Sequence, residues 1–278
     1  MKRIFAVFLV LFVPAFAHVG GSAAAAKIAA GRAALATHDL VAAQADFGDA
    51  ISLAGTEEDA SAYQTASALL GFTRVFALAA AANTSSAAGT ATSQFLDGLN
   101  IGPSAGRDVY NWAAQLPHDG NGNLILPAGY NLTTVESLWL NVLLPATAAA
   151  RGNLSGVTSQ GFLLTLYPSE TTSPATLNID YGDVLMARAS LSAVEFVFHF
   201  LSGQDLHANL DAMNQLAQGN MLKLQQVLAA NPDFLKVGST SERAAALASL
   251  SNVISLYRQA STFIRTVRPA GVSRMFML

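Results

Sequence analysis

The chain has 278 residues, of which 52% are hydrophobic and 12% are charged, and its formal net charge is −3. This balance excludes a chain that charge repulsion keeps unfolded, and the scattered basic residues form no concentrated surface for a nucleic acid. Much of the hydrophobic share is alanine, the best helix former. The composition therefore favours helices that pack closely side by side.

The first residues are typical of a cleavable secretory signal peptide. Lys2 and Arg3 precede an apolar run over residues 4–13, and Ala15-Phe16-Ala17 forms a small-residue cleavage site. An uncleaved membrane anchor is the alternative, but it needs about 20 apolar residues, and this run stops short of that. We expect residues 1–17 to be removed after Ala17.

The chain contains no cysteine. A secreted eukaryotic domain of this size usually carries disulfides, so we expect a bacterial protein of the periplasm, the outer surface or the medium. We expect no membrane span after signal cleavage, because the apolar segment 184–201 contains Arg188, Glu195 and His199. Three glycosylation motifs, at Asn83, Asn131 and Asn153, matter only in a eukaryotic host.

Residues 23–53 predict a helical hairpin. Its helices run from Ala23 to Thr37 and from Leu40 to Leu53, with Asp39 as the N-cap of the second. A third helix is predicted from Glu57 to Ala82, opened by Thr56 and by acidic residues that favour a helix N-terminus.

Small residues at Gly31, Ala43 and Ala50, with Phe47 between the helices, give this hairpin a spacing that resembles the tetratricopeptide repeat. The resemblance covers about one repeat. It departs from the family pattern at three positions, where the tryptophan, tyrosine and proline of the repeat are replaced by Lys27, Ala34 and Gly55. It implies helix pairs with a concave face that receives peptides or partner helices.

The middle of the chain, residues 94–174, is rich in loop-forming residues. A helix is predicted from Thr134 to about Ala150, with a kink at Pro145. The short apolar run Phe162–Tyr167 is the best strand candidate, and residues 177–179 would pair with it as a minor two-stranded element.

The last third is strongly helical. Asp180 and Asp183 have the spacing of a capping box before a helix that is apolar nearly all round over residues 184–201, which predicts the central buried helix. A long helix is predicted from Ser241 to about Val267. One stripe of it carries large apolar side chains at helical spacing, namely Leu247, Leu250, Ile254, Tyr257 and Ile264.

Together these elements predict an all-α fold, a helical array or bundle with a tetratricopeptide-like start and at most a small two-stranded β element. We divide the chain into a signal peptide (1–17), a tetratricopeptide-like helical segment (18–88) and a loop-rich centre with C-terminal helices (89–278). The last two are expected to form one continuous helical domain. The layout resembles a class of uncharacterised secreted bacterial proteins, which implies a compartment and a helical fold but no activity.

Two groups of residues invite a metal-site interpretation. Side-chain oxygens alternate in Asp119-Gly120-Asn121-Gly122-Asn123, but the EF-hand pattern fails at Leu124 and Tyr130, so a glycine–asparagine turn is favoured. Glu195 and His199 lie one helical turn apart, and Asp205, His207 and Asp211 follow. A metal site needs three or four converging ligands and the H-E-x-x-H motif is absent, so a satisfied hydrogen bond is favoured there.

No nucleotide-binding glycine motif and no nucleophile-elbow motif is present. The sequence therefore assigns no catalytic, metal or cofactor-binding residue, and it leans against an enzyme. The leading hypothesis is a non-enzymatic scaffold or protein-interaction module of the cell envelope, with a protein or peptide as partner. One alternative is a secreted enzyme or solute-binding protein with a site near Trp112, His118 and Tyr130. Another is the N-terminal domain of a longer surface protein, suggested by the apolar end at Leu278.

Overall fold

The computed structural model describes residues 22–79, 120, 132–171, 173–207, 225, 228–229 and 231–268. Its regular elements are, in chain order, α1 (Ala23–Ala36), α2 (Leu40–Thr56), α3 (Ala60–Ala79), α4 (Leu132–Leu138), a π-helical turn (Trp139–Leu143), α5 (Leu144–Leu154), β1 (Leu163–Leu166), β2 (Leu177–Asp180), α6 (Tyr181–Ser202) and α7 (Thr240–Thr266). The fold is mostly helical with one small antiparallel sheet in this described part, as the sequence predicts.

The predicted hairpin of α1 and α2 is confirmed. His38 turns the chain with a positive φ of 62°, and the Asp39 side chain accepts a hydrogen bond from the Ala42 backbone N–H at 3.0 Å, which caps α2. Phe47 of α2 is fully buried and lies directly over Gly31 of α1. The small residue is therefore what lets the two helices approach.

The start of α3 differs from the prediction. Thr56 is the last residue of α2, and Asp59 caps α3 by accepting hydrogen bonds from the N–H groups of Ser61 and Ala62. Glu58 takes a positive φ of 55° between the two helices. Threonine and acidic residues all suit a helix start. For that reason the start of this helix was predicted at Glu57, three residues before its observed position at Ala60.

α5 packs against α3 although about 65 residues separate them in the chain. Leu154 of α5 lies over Gly71 of α3, and both Leu154 and Ala150 are fully buried. The contact of a large side chain with a glycine thus occurs in the α3–α5 pair as it does in the α1–α2 pair. The helix itself was predicted, but its pairing with α3 was not, because residues 80–131 separate the two helices.

The predicted helix around Pro145 is confirmed over a longer range, from Leu132 to Leu154, with a π-helical turn in the middle. Proline lacks an N–H and its ring clashes with the carbonyl four residues before it, here that of Asn141. The wider π turn at Trp139–Leu143 ends just before this proline, which becomes the second residue of α5.

The predicted β element is also confirmed. β1 and β2 pair antiparallel, with Leu164 opposite Ile179 and Leu166 opposite Leu177. Just after β1, the buried Glu170 forms an ion pair with Arg32 of α1 at 2.8 Å, and Arg32 also donates a hydrogen bond to the Thr165 carbonyl. The small sheet is thereby fixed against the first helix.

One hydrophobic core runs through α1, α2, α3, α5, the sheet and the first half of α6. A smaller apolar cluster joins α6 to α7 through Leu185, Ala189, Leu256 and Ala260. Helices therefore pack as an ordered array, in which α6 contacts α5 on one side and α7 on the other.

A buried group of charges holds the end of α7 to the start of α6. The predicted capping box is present, because each of Asp180 and Asp183 accepts a hydrogen bond from the other's backbone N–H. Arg268 then donates to both carboxylates, at 2.6 and 2.8 Å. Burial alone would lower the pKa of Arg268, but these two hydrogen bonds outweigh it and the pKa is raised.

Candidate functional site: the outer face of the last helix

Four of the five residues of the predicted apolar stripe of the last helix face solvent, and the fifth, Ile264, is partly buried beside Gly182 of α6. Leu247 is 66% exposed and Ile254 is 53% exposed, and Leu250 and Tyr257 beside them are exposed as well. These four residues are called the outer stripe from here on. A helical stripe of this kind commonly faces the core of its own domain, so its exposure on a regular helix is an unusual surface feature.

The side of α7 that packs against α6 is built differently. Its buried residues are Ala246, Ser249, Leu256, Ala260 and Phe263. Opposite them, a Cβ at Gly182 of α6 would lie 2.7 Å from the Phe263 ring. Small residues on both helices allow a close approach around Leu256 and Phe263, and the remaining large side chains of the stripe lie on the other side of α7.

An open groove of about 670 Å³ runs beside the outer stripe, between α7 and the start of α6. Ile254 and Arg258 form part of one wall, and Tyr181 and Gln160 stand opposite. Most of the other lining side chains are short hydroxyl or amide groups, namely Ser251, Ser255, Gln259, Thr262 and Thr266. Among the described residues that line the groove, Arg258 is the only one with a charged side chain.

The charges of α7 divide between its two sides. Its one acidic residue, Glu242, accepts a hydrogen bond from, or donates to, Nδ1 of His199 on α6 at 2.6 Å. Arg258 and Arg265 are exposed and form no ion pair with any residue that the structure describes. Arg243 is exposed as well and lies one turn before Leu247 on the same side, so the outer face of α7 has an apolar middle with arginines before and after it.

The second half of α6 is partly exposed, which corrects the prediction of a helix buried all round. Val194, Val197 and Phe200 are between 40% and 47% exposed. The opposite side of the helix buries polar groups instead, among them Ser192 and Glu195. The expectation of a fully buried helix followed from its apolar composition, which does not distinguish a core-facing valine from an outward-facing one.

Glu195 and His199 do not form the pair that their spacing suggested. The buried Glu195 carboxylate accepts a hydrogen bond from Arg151 of α5 at 2.9 Å, and His199 turns to Glu242 of α7. Burial lowers the pKa of the neighbouring Arg188, and the charge of Arg151 lowers it further. These polar side chains therefore connect α6 to the helices on either side of it.

Glu136 of α4 lies within electrostatic range of the same end of α6. Burial raises the pKa of Glu136, the charge of His207 lowers it, and the charges of Asp205 and Glu242 raise it. Asp205 accepts hydrogen bonds from the backbone N–H and the ring of His207, which lower the pKa of Asp205. The described residues contain no group of three or more His, Asp or Glu side chains placed to hold a metal ion.

Several predicted site residues lie outside the described part of the chain. These are Asp211, the calcium-loop candidate except for Gly120, and the three residues of the alternative central site, Trp112, His118 and Tyr130. Of the three glycosylation motifs, Asn153 is described, and its side-chain oxygen accepts a hydrogen bond from Arg74 at 2.6 Å.

Among the described helices, α6 alone has the length and apolar composition to cross a membrane. About two fifths of the residues in its apolar window are buried within the protein. Core helices of the same composition meet this criterion too, so it is weak evidence for a span.

The outer stripe was visible in the sequence as a helical repeat, but its exposure was not, because periodicity does not reveal which side of a helix is covered. The packing side of α7 carries mostly alanine and serine, which gave no signal. Comparison of the chain with models of known protein families, with curated proteins and with solved structures gives no match.

Proposed function

We propose that this protein is a non-enzymatic scaffold or protein-interaction module, exported to the bacterial cell envelope, and that the outer stripe of α7 is its partner surface. The observation that carries the proposal is the exposure of Leu247, Leu250, Ile254 and Tyr257 on a regular helix at the edge of the array. Contiguous apolar surface of this kind typically marks an interaction site.

The position of the stripe in the array supports the same proposal. In stacked helical arrays the last helix normally presents a polar outer face, because no further helix covers it. Here the side of α7 that packs against α6 carries small residues beside Leu256 and Phe263, and four further large apolar side chains stay outside. Full burial of a Leu or Ile side chain is worth roughly 1.5–3 kcal/mol, so covering the stripe would supply a substantial part of a binding free energy.

The repeated glycine contacts support a tetratricopeptide-like character for the array. Gly31 beneath Phe47 and Gly71 beneath Leu154 place a large side chain of one helix on a glycine of its partner in two successive helix pairs. Proteins built from such pairs bind peptides and helices of other proteins.

The groove beside the stripe fits partner binding better than catalysis. A catalytic pocket usually gathers several titratable groups around one point, and a solute site encloses most of its ligand. This groove is open, and its lining, within the described part of the chain, contains one charged side chain, Arg258.

Site-specific photo-cross-linking in living cells tests the proposal. A photoreactive amino acid at Ile254 is expected to cross-link to one partner segment in the envelope fraction, and Leu250→Ser in the same chain is expected to abolish the product. The matched control carries the photoreactive group at Ser52, an exposed position on α2. Equal cross-linking from both positions, or no product from Ile254, would reject the outer stripe as a partner surface.

A further inference from the structure

On the basis of the proposed partner surface, we infer that the partner presents an amphipathic helix whose apolar stripe is followed, beyond one end, by acidic residues. The inference rests on the charges that continue the outer stripe along α7. It therefore adds the chemistry of the partner to the location of the surface.

Exposed arginines flank the outer stripe, with Arg243 one turn before Leu247 and two further arginines after Ile254. Arg258 lies one turn beyond Ile254 on the same side, and Arg265 lies two turns further. Both side chains are exposed and neither has an ion-pair partner in the described residues. The single carboxylate of α7, Glu242, is directed towards His199 of α6 and leaves this face without a negative charge.

The spacing of the apolar and basic side chains along α7 defines the partner helix that would fit. With a rise of about 1.5 Å per residue, Ile254 and Arg258 are about 6 Å apart along the axis, and Arg258 and Arg265 about 10 Å. A helix packed along α7 would place leucine or isoleucine over the outer stripe. Two carboxylates seven residues apart would then meet the two guanidinium groups, which bind carboxylates in a forked geometry.

A second copy of this chain offers a poorer match. The exposed side of α1, at the other edge of the array, consists of alanines, and α1 contains no acidic residue. A copy that docked through α1 would bury the outer stripe but would leave Arg258 and Arg265 without carboxylates. Charge complementarity therefore favours a different protein with an acidic helix.

A membrane surface is also less suitable. Helices that lie on anionic lipid carry many Lys and Arg residues along a polar face opposite the apolar one. On α7 the arginines continue the line of the apolar stripe, and the remaining exposed positions are mainly serine, alanine, asparagine and glutamine. This arrangement suits a narrow helix better than a lipid headgroup layer.

Peptide titration tests the inference on the purified protein. One synthetic helical peptide carries a leucine stripe followed by two glutamates seven residues apart, and its sibling carries lysines in their place. We expect the glutamate peptide to bind at least about tenfold more tightly, with an affinity that falls as salt is added. The double variant R258E/R265E should reverse the preference, and K236E, a charge change away from this face, should not.

Each other outcome has a defined meaning. Equal binding of the two peptides, lost in L247S/I254S, would overturn the acidic partner and leave the partner surface standing. Binding of neither peptide, or tighter binding to anionic phospholipid vesicles than to either peptide, would overturn the inference too. Self-association in sedimentation experiments that L247S/I254S abolishes would assign the stripe to a second copy. All substituted positions are exposed, and circular dichroism is the check that each variant is folded.

Discussion

A methyl group at Gly31 would lie 2.5 Å from Cε1 of Phe47, closer than side-chain carbons approach in real proteins. Phe47 is fully buried, so its ring cannot move aside into solvent. The distance between α1 and α2 is thus set by the absence of a side chain at Gly31.

Gly31→Ala is expected to destabilise the protein by about 1–3 kcal/mol, because overpacking outweighs the better helix propensity of alanine. Chemical denaturation monitored by circular dichroism measures the change in unfolding free energy.

Gly48→Ala is the matched control on α2, since a Cβ there meets no atom within 4 Å. That variant is expected to gain about 0.5–1 kcal/mol from reduced backbone entropy of the unfolded chain. If both alanines changed stability in the same direction, the packing role of Gly31 would be wrong.

Arg268→Ala is expected to cost about 3–5 kcal/mol, because it leaves the buried carboxylates of Asp180 and Asp183 without the guanidinium that neutralises them. Thermal and chemical denaturation both report this loss. Lys236→Ala is the control: it breaks an ion pair with Asp233 in which both side chains are more than half exposed, and such pairs contribute little. A similar small effect for the two variants would contradict a structural role for Arg268.

The Glu136 carboxyl predicts a pH dependence of stability. Burial raises its folded-state pKa above the ordinary value of 4.5, so the folded protein binds the proton more tightly than the unfolded chain. Ionisation therefore opposes folding, and this unfavourable contribution develops as the pH rises from 4.5 through the folded-state pKa. Below that window it is absent.

Glu136→Gln removes the ionisable group and should make the protein more stable than wild type at pH 7, with the difference shrinking towards pH 4. Unfolding free energies of both proteins across this range measure the effect. The prediction is refuted if the stability of the variant minus that of wild type is smaller at pH 7 than at pH 4.

Export makes a prediction about the mature N-terminus. Processing after Ala17 should leave His18 as the first residue of protein recovered from the envelope or the medium, as N-terminal sequencing or intact-mass measurement would detect. Ala15→Gln places a larger side chain in the small-residue cleavage site and should block processing. Recovery of the unprocessed chain from the cytoplasm of wild-type cells would exclude this route.

Local features of the fold followed from the sequence. Asp39 caps α2, and Asp180 with Asp183 forms the capping box of α6, because each of these contacts involves residues three positions apart. The strand pair and the long last helix were also predicted, since alternation, turn residues and helical period act over short stretches of chain.

Contacts between elements that are distant in the chain could not be predicted from the sequence. Nothing near Gly71 indicates that Leu154 covers it, and nothing near Glu195 indicates that Arg151, rather than His199, is its partner. The outer stripe is a third example. The helical period of 3.6 residues placed Leu247 and Ile254 on one side of a helix. It could not show which side meets α6, because that depends on the close approach at Gly182.

The pairing of Arg268 with the capping box has a mechanical consequence for the partner surface. Helices ordinarily fray at both ends, but buried charges hold the last turn of α7. Its first turn is held by the His199–Glu242 pair, whose side chains are 17% and 26% exposed, and by backbone hydrogen bonds from Gly238 and Ser239 to the Gly203 carbonyl. We therefore expect opening to begin at Thr240, where the side chains that hold the helix are more exposed than Arg268, and to advance towards the arginine. A pulling force that a partner applies to the outer stripe would therefore separate α7 from α6 at its N-terminal end first. The Arg268 contact thus sets the direction in which the helix detaches under force.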